Sequence, residues 1–260
     1  MKILVAVKVV ASLDEDFALG EDDTTVPDDA LEWQLNEWDS FSLEAAQHLK
    51  EGEDGEVVVV TVGDEQVEQG LRSCLAKGAD RAIRVWDESL RGADGLAIAS
   101  VLAAVARAEQ PQLILCGVQS SDAVESATGV ALAGLLELPR VAVVTGIERT
   151  GQRLTVQREL EGGTVELLDV SLPCLLTVQT GINEPRYASL RAIKQASAKP
   201  LHVSSLQDLG LDASAVAAHA GSRTIRLREP ARTAGATMIE GATPEVAARI
   251  VEIVRGAMSA

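Results

Sequence analysis

The sequence predicts an α/β fold in which helices cover both faces of an open, mostly parallel sheet. From the N-terminus to Thr145, short runs rich in Val, Ile and Leu alternate with amphipathic stretches of helical periodicity. The runs are apolar at nearly every position, as is typical of strands that are buried on both faces. Strands that alternate with helices in this way form parallel sheets.

The strands and helices of this first region follow in order along the chain. The predicted strands are residues 3–10, 56–62, 81–85, 113–116 and 141–145. The predicted helices are residues 42–50, 64–77, 94–109 and 127–136. Turn residues support these assignments, since Gly63-Asp64 is a helix-starting pair and Lys77-Gly78 suits a helix end.

The chain changes character after this region. Residues 154–159 and 165–170 alternate in polarity around Gly162-Gly163, which predicts a β-hairpin. An apolar run at 174–178 returns the chain to the sheet. The remaining predicted elements are a basic stretch at 191–199, a short helix from Ser204-Ser205 to Leu211, a stretch of little periodicity at 213–237, and a helix from Thr243 to about Arg255.

Composition and charge exclude several classes of partner. The net charge of −16 would repel nucleic acid and anionic membranes, so we expect neither nucleic-acid binding nor membrane insertion. The three cysteines show no metal-binding spacing and suit reduced thiols. The apolar N-terminal run is short for a signal peptide, and Lys8 interrupts it. We therefore expect a cytoplasmic protein.

No recognisable set of catalytic residues is present. None of the three histidines follows a known nucleophile pattern, and the P-loop motif is missing. The first strand is not followed by a glycine-rich dinucleotide motif. We expect no catalytic side chains and no bound metal.

Three polar segments stand out as candidate binding sites. The loop 117–128 is rich in small residues and opens a helix at Ala127-Thr128, an arrangement suited to a phosphate, although ordinary turn chemistry would also explain it. Trp38 lies in the segment 36–39, for which core packing is the alternative. The third segment, residues 182–190, contains the only tyrosine and an exposed Leu190, and a local turn would account for its proline.

Together these stretches resemble the beta subunits of electron transfer flavoproteins. The most specific match is Val156-Gln157-Arg158-Glu159-Leu160-Glu161-Gly162-Gly163, and Asn183 to Leu190 and Gly78-Ala79-Asp80-Arg81 match two further motifs. Details around 35–39 and 75–81 are most similar to the bacterial members that serve amine dehydrogenases.

The resemblance implies an adenine-nucleotide-binding, Rossmann-like domain that holds a structural AMP. The implied AMP contacts are Ala6, Asn36, Glu37, Trp38, Asp39, Val62, Gly117, Gln119, Ser120, Ser121, Asp122, Ser126, Ala127 and Thr128. It also implies an alpha subunit that holds most of an FAD, toward which Leu13 and Trp38 are directed. Tyr187 and Leu190 are implied to dock on a flavin-containing dehydrogenase, with an amine dehydrogenase as one candidate.

The implied division of the chain has three parts. Residues 1–190 form the nucleotide-binding domain with its hairpin at 152–172, and residues 182–200 form a partner-recognition loop and helix. Residues 201–260 form an arm with a helix that contacts the alpha subunit, or alternatively a disordered tail with a self-docking helix. Two other functions remain open: an electron-bifurcating subunit with a second FAD in place of AMP, and a stand-alone adenine-nucleotide module or hydrolase.

Overall fold

The computed structural model describes residues 1–13, 19–20, 24–27, 31–51, 54–229 and 235–258. It consists of two units, Met1–Leu227 and Arg228–Ala260. The strands are β1 (Lys2–Ala6), β2 (Val9–Leu13), β3 (Leu31–Leu35), β4 (Glu56–Val62), β5 (Arg81–Val85), β6 (Leu113–Gly117), β7 (Arg140–Thr150), β8 (Arg153–Glu159), β9 (Val165–Ser171), β10 (Cys174–Val178) and β11 (Leu201–Ser204). The helices are α1 (Glu37–Lys50), α2 (Glu68–Ala76), α3 (Gly95–Glu109), α4 (Thr128–Leu135), α5 (Leu190–Ala196), α6 (Ala213–Ala217) and α7 (Thr243–Met258).

Nine of the strands form one sheet in the order β11-β5-β4-β1-β6-β10-β7-β8-β9. Neighbouring strands are parallel from β11 to β7, and β7, β8 and β9 are antiparallel. The predicted α/β class is therefore confirmed. The predicted hairpin around Gly162-Gly163 is also confirmed, as the pair β8 and β9.

The sheet is buried on both faces, and its central strands are apolar at nearly every position. Val57 to Val60 in β4 are fully buried. In β1, Ile3 and Val5 pack with α1 and α2, whereas Leu4 packs on the opposite face with α3 and α4. This alternation follows from the two-residue period of a strand. It explains why an uninterrupted Val and Leu run, rather than an alternating one, marks each central strand.

The predicted strand at 3–10 is wrong in its extent, because it is two separate strands. β1 ends at Ala6, and β2 pairs with β3 in an antiparallel ribbon outside the main sheet. The break occurs at Lys8, whose N–H donates to the Asp39 carboxylate and whose C=O accepts from the Asn36 N–H. The backbone N–H and C=O groups of Lys8 therefore have hydrogen-bond partners without belonging to the sheet. Helix α1 likewise begins at Glu37, before the predicted start at Ser42.

The chain around residue 201 also differs from the prediction. β11 pairs with β5 at the edge of the main sheet, and residues up to 227 belong to the first unit. The predicted arm boundary at 201 therefore lies too early. The helix predicted from Ser204 to Leu211 is wrong, because Ser204 ends β11 and the residues after it form a turn in which Asp208 accepts from the N–H and hydroxyl of Ser205. The run after Pro200 has only four residues, which is too short for its pairing with the sheet to be predicted from the sequence.

The second unit contains the predicted C-terminal helix, α7. Glu245 accepts a hydrogen bond from the Ala242 N–H just before the helix, a carboxylate that also suits the positive helix start. Four apolar side chains of α7 are about half exposed: Ile250, Val251, Ile253 and Val254. Among all described residues, no helix is both long and apolar enough to cross a bilayer.

Alternating charges join the amino ends of the central strands to the end of α3. Arg81 forms ion pairs with Glu56 and Glu109, and Lys2 is 3.2 Å from Glu109. The hydrogen bond from Arg81 is the main cause that lowers the pKa of Glu109. Four elements that are distant in sequence, β1, β4, β5 and α3, are thus held together at this edge.

Glu109→Gln should lower the free energy of unfolding by about 1 to 2 kcal/mol at pH 7, because Arg81 and Lys2 lose a half-buried partner. The folded pKa lies below the unfolded value, so this contribution exists above the unfolded pKa of about 4.3 and is lost as the pH falls through the folded value. Urea unfolding of both proteins at pH 7 and pH 4 measures the difference. The exposed Glu148→Gln variant is the control, and an equal effect of both substitutions would contradict the role of the network.

Candidate functional site

The strand order reverses next to β1, and this reversal produces a crevice. The chain passes from β1 to β4 on one side, whereas β6 joins β1 on the other. In open α/β sheets, ligands bind at the carboxyl ends of strands where the order reverses. A cavity of about 420 Å³ lies there, within the usual range for small-molecule sites.

Asp39, in the first turn of α1, bridges the two strands that flank the crevice. Its carboxylate accepts from the Lys8 N–H and from the Gly117 N–H, both at 2.8 Å. Gly117 leaves no room for a side chain, since an added Cβ would lie 2.5 Å from the Trp38 Cβ. Asp39 is only 4% exposed, and burial raises its pKa to about 6 despite the two hydrogen bonds. One carboxylate thus joins the break that follows β1 to the end of β6.

Asn36 holds the loop 117–127 over the crevice. Its amide donates to the Gln119 C=O at 2.9 Å, and its Oδ1 accepts from the Ser121 N–H at 3.2 Å. Within this loop the Ser126 hydroxyl donates to Gln119 Oε1. Val124 and Ser126 have positive φ values of 52°, a conformation that costs energy for residues with a side chain. Long-range bonds from Asn36 therefore keep the loop in a conformation that its own sequence does not favour.

Two helix starts meet at the far wall of the cavity. Helix α4 begins at Thr128, and its N-cap residue Ala127 makes no side-chain cap, so among the described residues the N–H groups of the first turn remain donors that a ligand could use. Gly95, the first residue of α3, lies so close that an added Cβ would be 2.6 Å from Thr128 Oγ1. The Gly95 N–H donates to Glu125 Oε2 at 3.3 Å. The positive ends of helices favour an anion, and the Glu125 carboxylate already lies at this position.

Most of the residues singled out from the sequence lie around this cavity. Those that line it are Ala6, Asn36, Asp39, Val62, Gly117, Gln119, Ser120, Ser126, Ala127 and Thr128. The predicted residues outside its lining are Glu37, Trp38, Ser121 and Asp122. The side chain of Leu13, at the end of β2, lies outside the described part of the chain.

Trp38 and Asp122 have other partners close to the cavity. The Trp38 indole N–H donates to Gln179 Oε1 at 2.9 Å, at the carboxyl end of β10. Asp122 accepts from Lys8 Nζ at 2.7 Å. Burial disfavours ionisation of Asp122, but hydrogen bonds from Lys8 and Ser120 outweigh it and lower its pKa. Both residues thus fix the rim of the site rather than its interior.

Sequence reasoning missed one complete side of the cavity. The connection from β5 to α3 contributes Trp86, Arg91 and Asp94, and the Arg91 guanidinium lies 5.6 Å from the Trp86 ring centroid. Trp33 on β3 also lines the cavity. The signal was available, because β5 is parallel to β1 and its carboxyl end must reach the same edge. A tryptophan directly after a predicted strand, in a chain with few aromatics, marks this position.

The segment 182–190 lies on the outer side of α1 and is firmly anchored. Arg186 pairs with Glu44, whose side chain is 5% exposed, and also with Glu51. Burial disfavours ionisation of Glu44, but the hydrogen bonds from Arg186 outweigh it and lower its pKa. Beyond this anchor, Tyr187 is 99% and Leu190 84% exposed. Two apolar side chains are therefore presented to solvent on a fixed base.

No metal centre is apparent in the ranges that the structure describes, since no three His, Cys, Asp or Glu side chains lie close enough together to hold an ion. Cys116 lines the cavity, and burial raises its pKa. A thiol held in its neutral form is a poor nucleophile.

Comparison with known proteins gives consistent matches. Residues 23–209 match the family model of the electron transfer flavoprotein domain. The chain is 48% identical to the electron transfer flavoprotein subunit beta of Methylophilus methylotrophus, over 98% of both chains. It is 35% identical to that of Bacillus subtilis, over 88% of this chain and 89% of the relative. It is 34% identical to the caffeyl-CoA reductase-Etf complex subunit CarD of Acetobacterium woodii, over 96% and 97%.

Asp39→Asn should lower the free energy of unfolding by about 1 to 3 kcal/mol at pH 7, because one N–H at the crevice loses its acceptor. The folded pKa of Asp39, about 6, lies above the unfolded value, so the native state gains stability as the pH falls through this range. The difference between wild type and variant should therefore grow by about 1 kcal/mol from pH 7 to pH 5. Denaturant unfolding at both pH values tests this, with the exposed Asp169→Asn variant as control. A difference that is independent of pH would refute the role of the buried carboxyl.

Proposed function

The chain belongs to the electron transfer flavoprotein family as a beta subunit, and from this premise we propose that it holds a structural AMP beneath an FAD bound mainly by an alpha subunit. In this role it supports electron transfer from a dehydrogenase to an acceptor without catalytic side chains of its own. The observation that carries the proposal is the cavity between the ends of β1 and β6, closed by the loop 117–127 and the start of α4.

The residues at this cavity fit an adenylate. The uncapped N–H groups of α4 and the Thr128 hydroxyl suit a phosphate. Gln119 and Ser120 add polar groups near the mouth, and Ala6 and Val62 supply apolar surface for a base. AMP would supply no reactive chemistry here. It would fill the cavity and fix the loop that Asn36 holds.

We further propose that Trp38 and Leu13 face the flavin of the alpha subunit. FAD supplies the chemistry, because it accepts and donates single electrons. Trp38 supports this role through its fixed orientation, since Gln179 accepts from its indole N–H and also from the Thr180 N–H. This chain would then orient the flavin and exclude water from one side of it.

The exposed surfaces suggest two contacts with other chains. Tyr187 and Leu190 would dock on a flavin-containing dehydrogenase, for which an amine dehydrogenase is our first candidate, and the Arg186–Glu44 pair supports them from below. Residues 228–260 would form the arm that embraces the alpha subunit, because α7 has an apolar face that its own unit leaves half exposed. We also propose a cytoplasmic location, which the three free cysteines support.

Two alternatives give different cofactor contents. An electron-bifurcating subunit would hold a second FAD in place of AMP. The hydroxyl of Thr128 at the start of α4 favours AMP, because it suits a terminal phosphate. A stand-alone adenine-nucleotide module would need no flavin-binding partner at all, so co-expression with and without the alpha subunit separates it from both flavoproteins.

The complex purified with its alpha subunit should release one AMP and one FAD per heterodimer on denaturation, as measured by chromatography against standards. Thr128→Val should weaken AMP retention by about tenfold or more, since a hydrogen bond to a charged group is lost, while FAD content stays unchanged. Thr155→Val, in which an exposed hydroxyl that bonds Asp169 is removed, is the matched control. Two FAD per heterodimer would instead support bifurcation, and the absence of any nucleotide would refute the site.

Leu190→Ala should slow reduction of the flavin by the donor dehydrogenase by about tenfold, the effect of a truncated apolar anchor at an interface, with FAD content intact. Stopped-flow absorbance of the flavin measures the rate. Val203→Ala, at a half-exposed apolar residue on β11, should leave the rate unchanged. Unchanged kinetics of the Leu190 variant would count against the docking role.

A further inference from the structure

Asp94 connects two parts of the chain that are 127 residues apart. One carboxylate oxygen caps α3, since Oδ1 accepts from the N–H groups of Leu96 and Ala97 at 3.2 and 3.0 Å. The other, Oδ2, accepts from the N–H groups of Gly221 and Ser222, both at 2.7 Å, and from the Ser222 hydroxyl at 3.2 Å. Both oxygens of a single side chain are therefore fully engaged, each with a different segment.

The first of these segments is a wall of the cavity. Asp94 and Gly95 line it, and Gly95 contacts the loop through Glu125 and lies against Thr128 at the start of α4. Any ligand that orders the start of α4 therefore also orders the first turn of α3. The Asp94 carboxylate lies at the end of this turn.

The second segment is residues 221–227, here called the arm root, which lead directly into the second unit. Its side chains are exposed except for Leu227, which is half-buried. Gly221 approaches α3 so closely that an added Cβ would lie 2.9 Å from Leu96 Cδ1. The bonds to Asp94 thus fix the start of a segment that buries little of its own surface.

Another cap in the same region shows that this arrangement is not required for helix capping. Asp212 caps α6 through Oδ1, which accepts from the N–H groups of Ser214 and Ala215. It makes the same cap as Asp94 without a bond to the arm root. The two aspartates therefore form a matched pair in which only one joins distant segments.

We propose that Asp94 is a positioning residue that couples the nucleotide cavity to the arm root. Nucleotide binding and the ordering of the arm root then stabilise each other, because both depend on the orientation of one carboxylate, and such coupling is reciprocal. The proposal rests on the adenylate function proposed above. It assigns the arm root, rather than the loop 117–127 alone, as the segment that responds to the nucleotide.

Asp94→Asn separates the two roles of this residue. Asparagine is a good helix cap, so α3 keeps its acceptor. The asparagine amide, however, presents a donor to the Gly221 and Ser222 N–H groups in place of an acceptor. Asp212→Asn makes the same chemical change at the cap that lacks the second role. Ser222→Ala perturbs the contact from the arm side, without any change to α3.

The measurement is amide hydrogen exchange of the Gly221 and Ser222 peptide in the full complex with the alpha subunit, stripped of nucleotide, with and without added AMP. In wild type, AMP should slow exchange of these amides. In Asp94→Asn they should exchange about tenfold faster or more, as expected when hydrogen bonds to a carboxylate are lost, and AMP should no longer protect them. Ser222→Ala should give a smaller increase, and Asp212→Asn should match wild type.

Two outcomes would overturn the proposal. Unchanged exchange at Gly221 and Ser222 in Asp94→Asn would mean that the carboxylate does not hold the arm root. AMP binding without any effect on these amides in wild type would mean that the cavity and the root are not coupled, although the proposed function would stand. Calorimetry of AMP binding to the nucleotide-stripped complex tests that function separately, and failure to bind would refute the adenylate site itself.

Discussion

The crevice depends on one buried carboxylate, that of Asp39. It binds the backbone N–H group of Lys8, just after β1, and that of Gly117 at the end of β6, and the strand order reverses between these two strands. Burial of an acid is unfavourable, as its raised pKa shows, and two N–H donors offset only part of this cost. In return, the base of the crevice is held in place. Gly117 packs against the start of α1, and Asn36, just before this helix, bonds the loop 117–127.

The central sheet could be predicted from the sequence because its inner strands are buried on both faces and are therefore apolar at nearly every position. The same reasoning failed at Lys8, where the strand breaks although the apolar run continues. The cause is the bond to Asp39, thirty-one residues away, which local hydrophobicity cannot reveal. β11 was missed for a related reason, since an edge strand of four residues with one buried position has no distinct pattern.

The candidate site was predicted in part. The loop 117–128 was recognisable because small residues precede a helix start after a strand. The Trp86 side of the cavity was overlooked, although it follows a predicted parallel strand, because its place opposite that loop depends on the strand order. Trp38 was identified as unusual, but its contact with Gln179 depends on β10, which enters the sheet after the hairpin. The sequence therefore identified single binding segments, but it did not show how the fold brings them together.

The anchor beneath the segment 182–190 has a consequence for how this surface responds to ionic strength. Counterions screen exposed charges well but reach a shielded pair poorly, and Glu44 is almost entirely covered while it holds Arg186. The turn should thus keep its shape in concentrated salt. Any salt effect on encounters at this surface would then arise from the long-range field of a chain with a net charge of −16, rather than from loss of the local conformation.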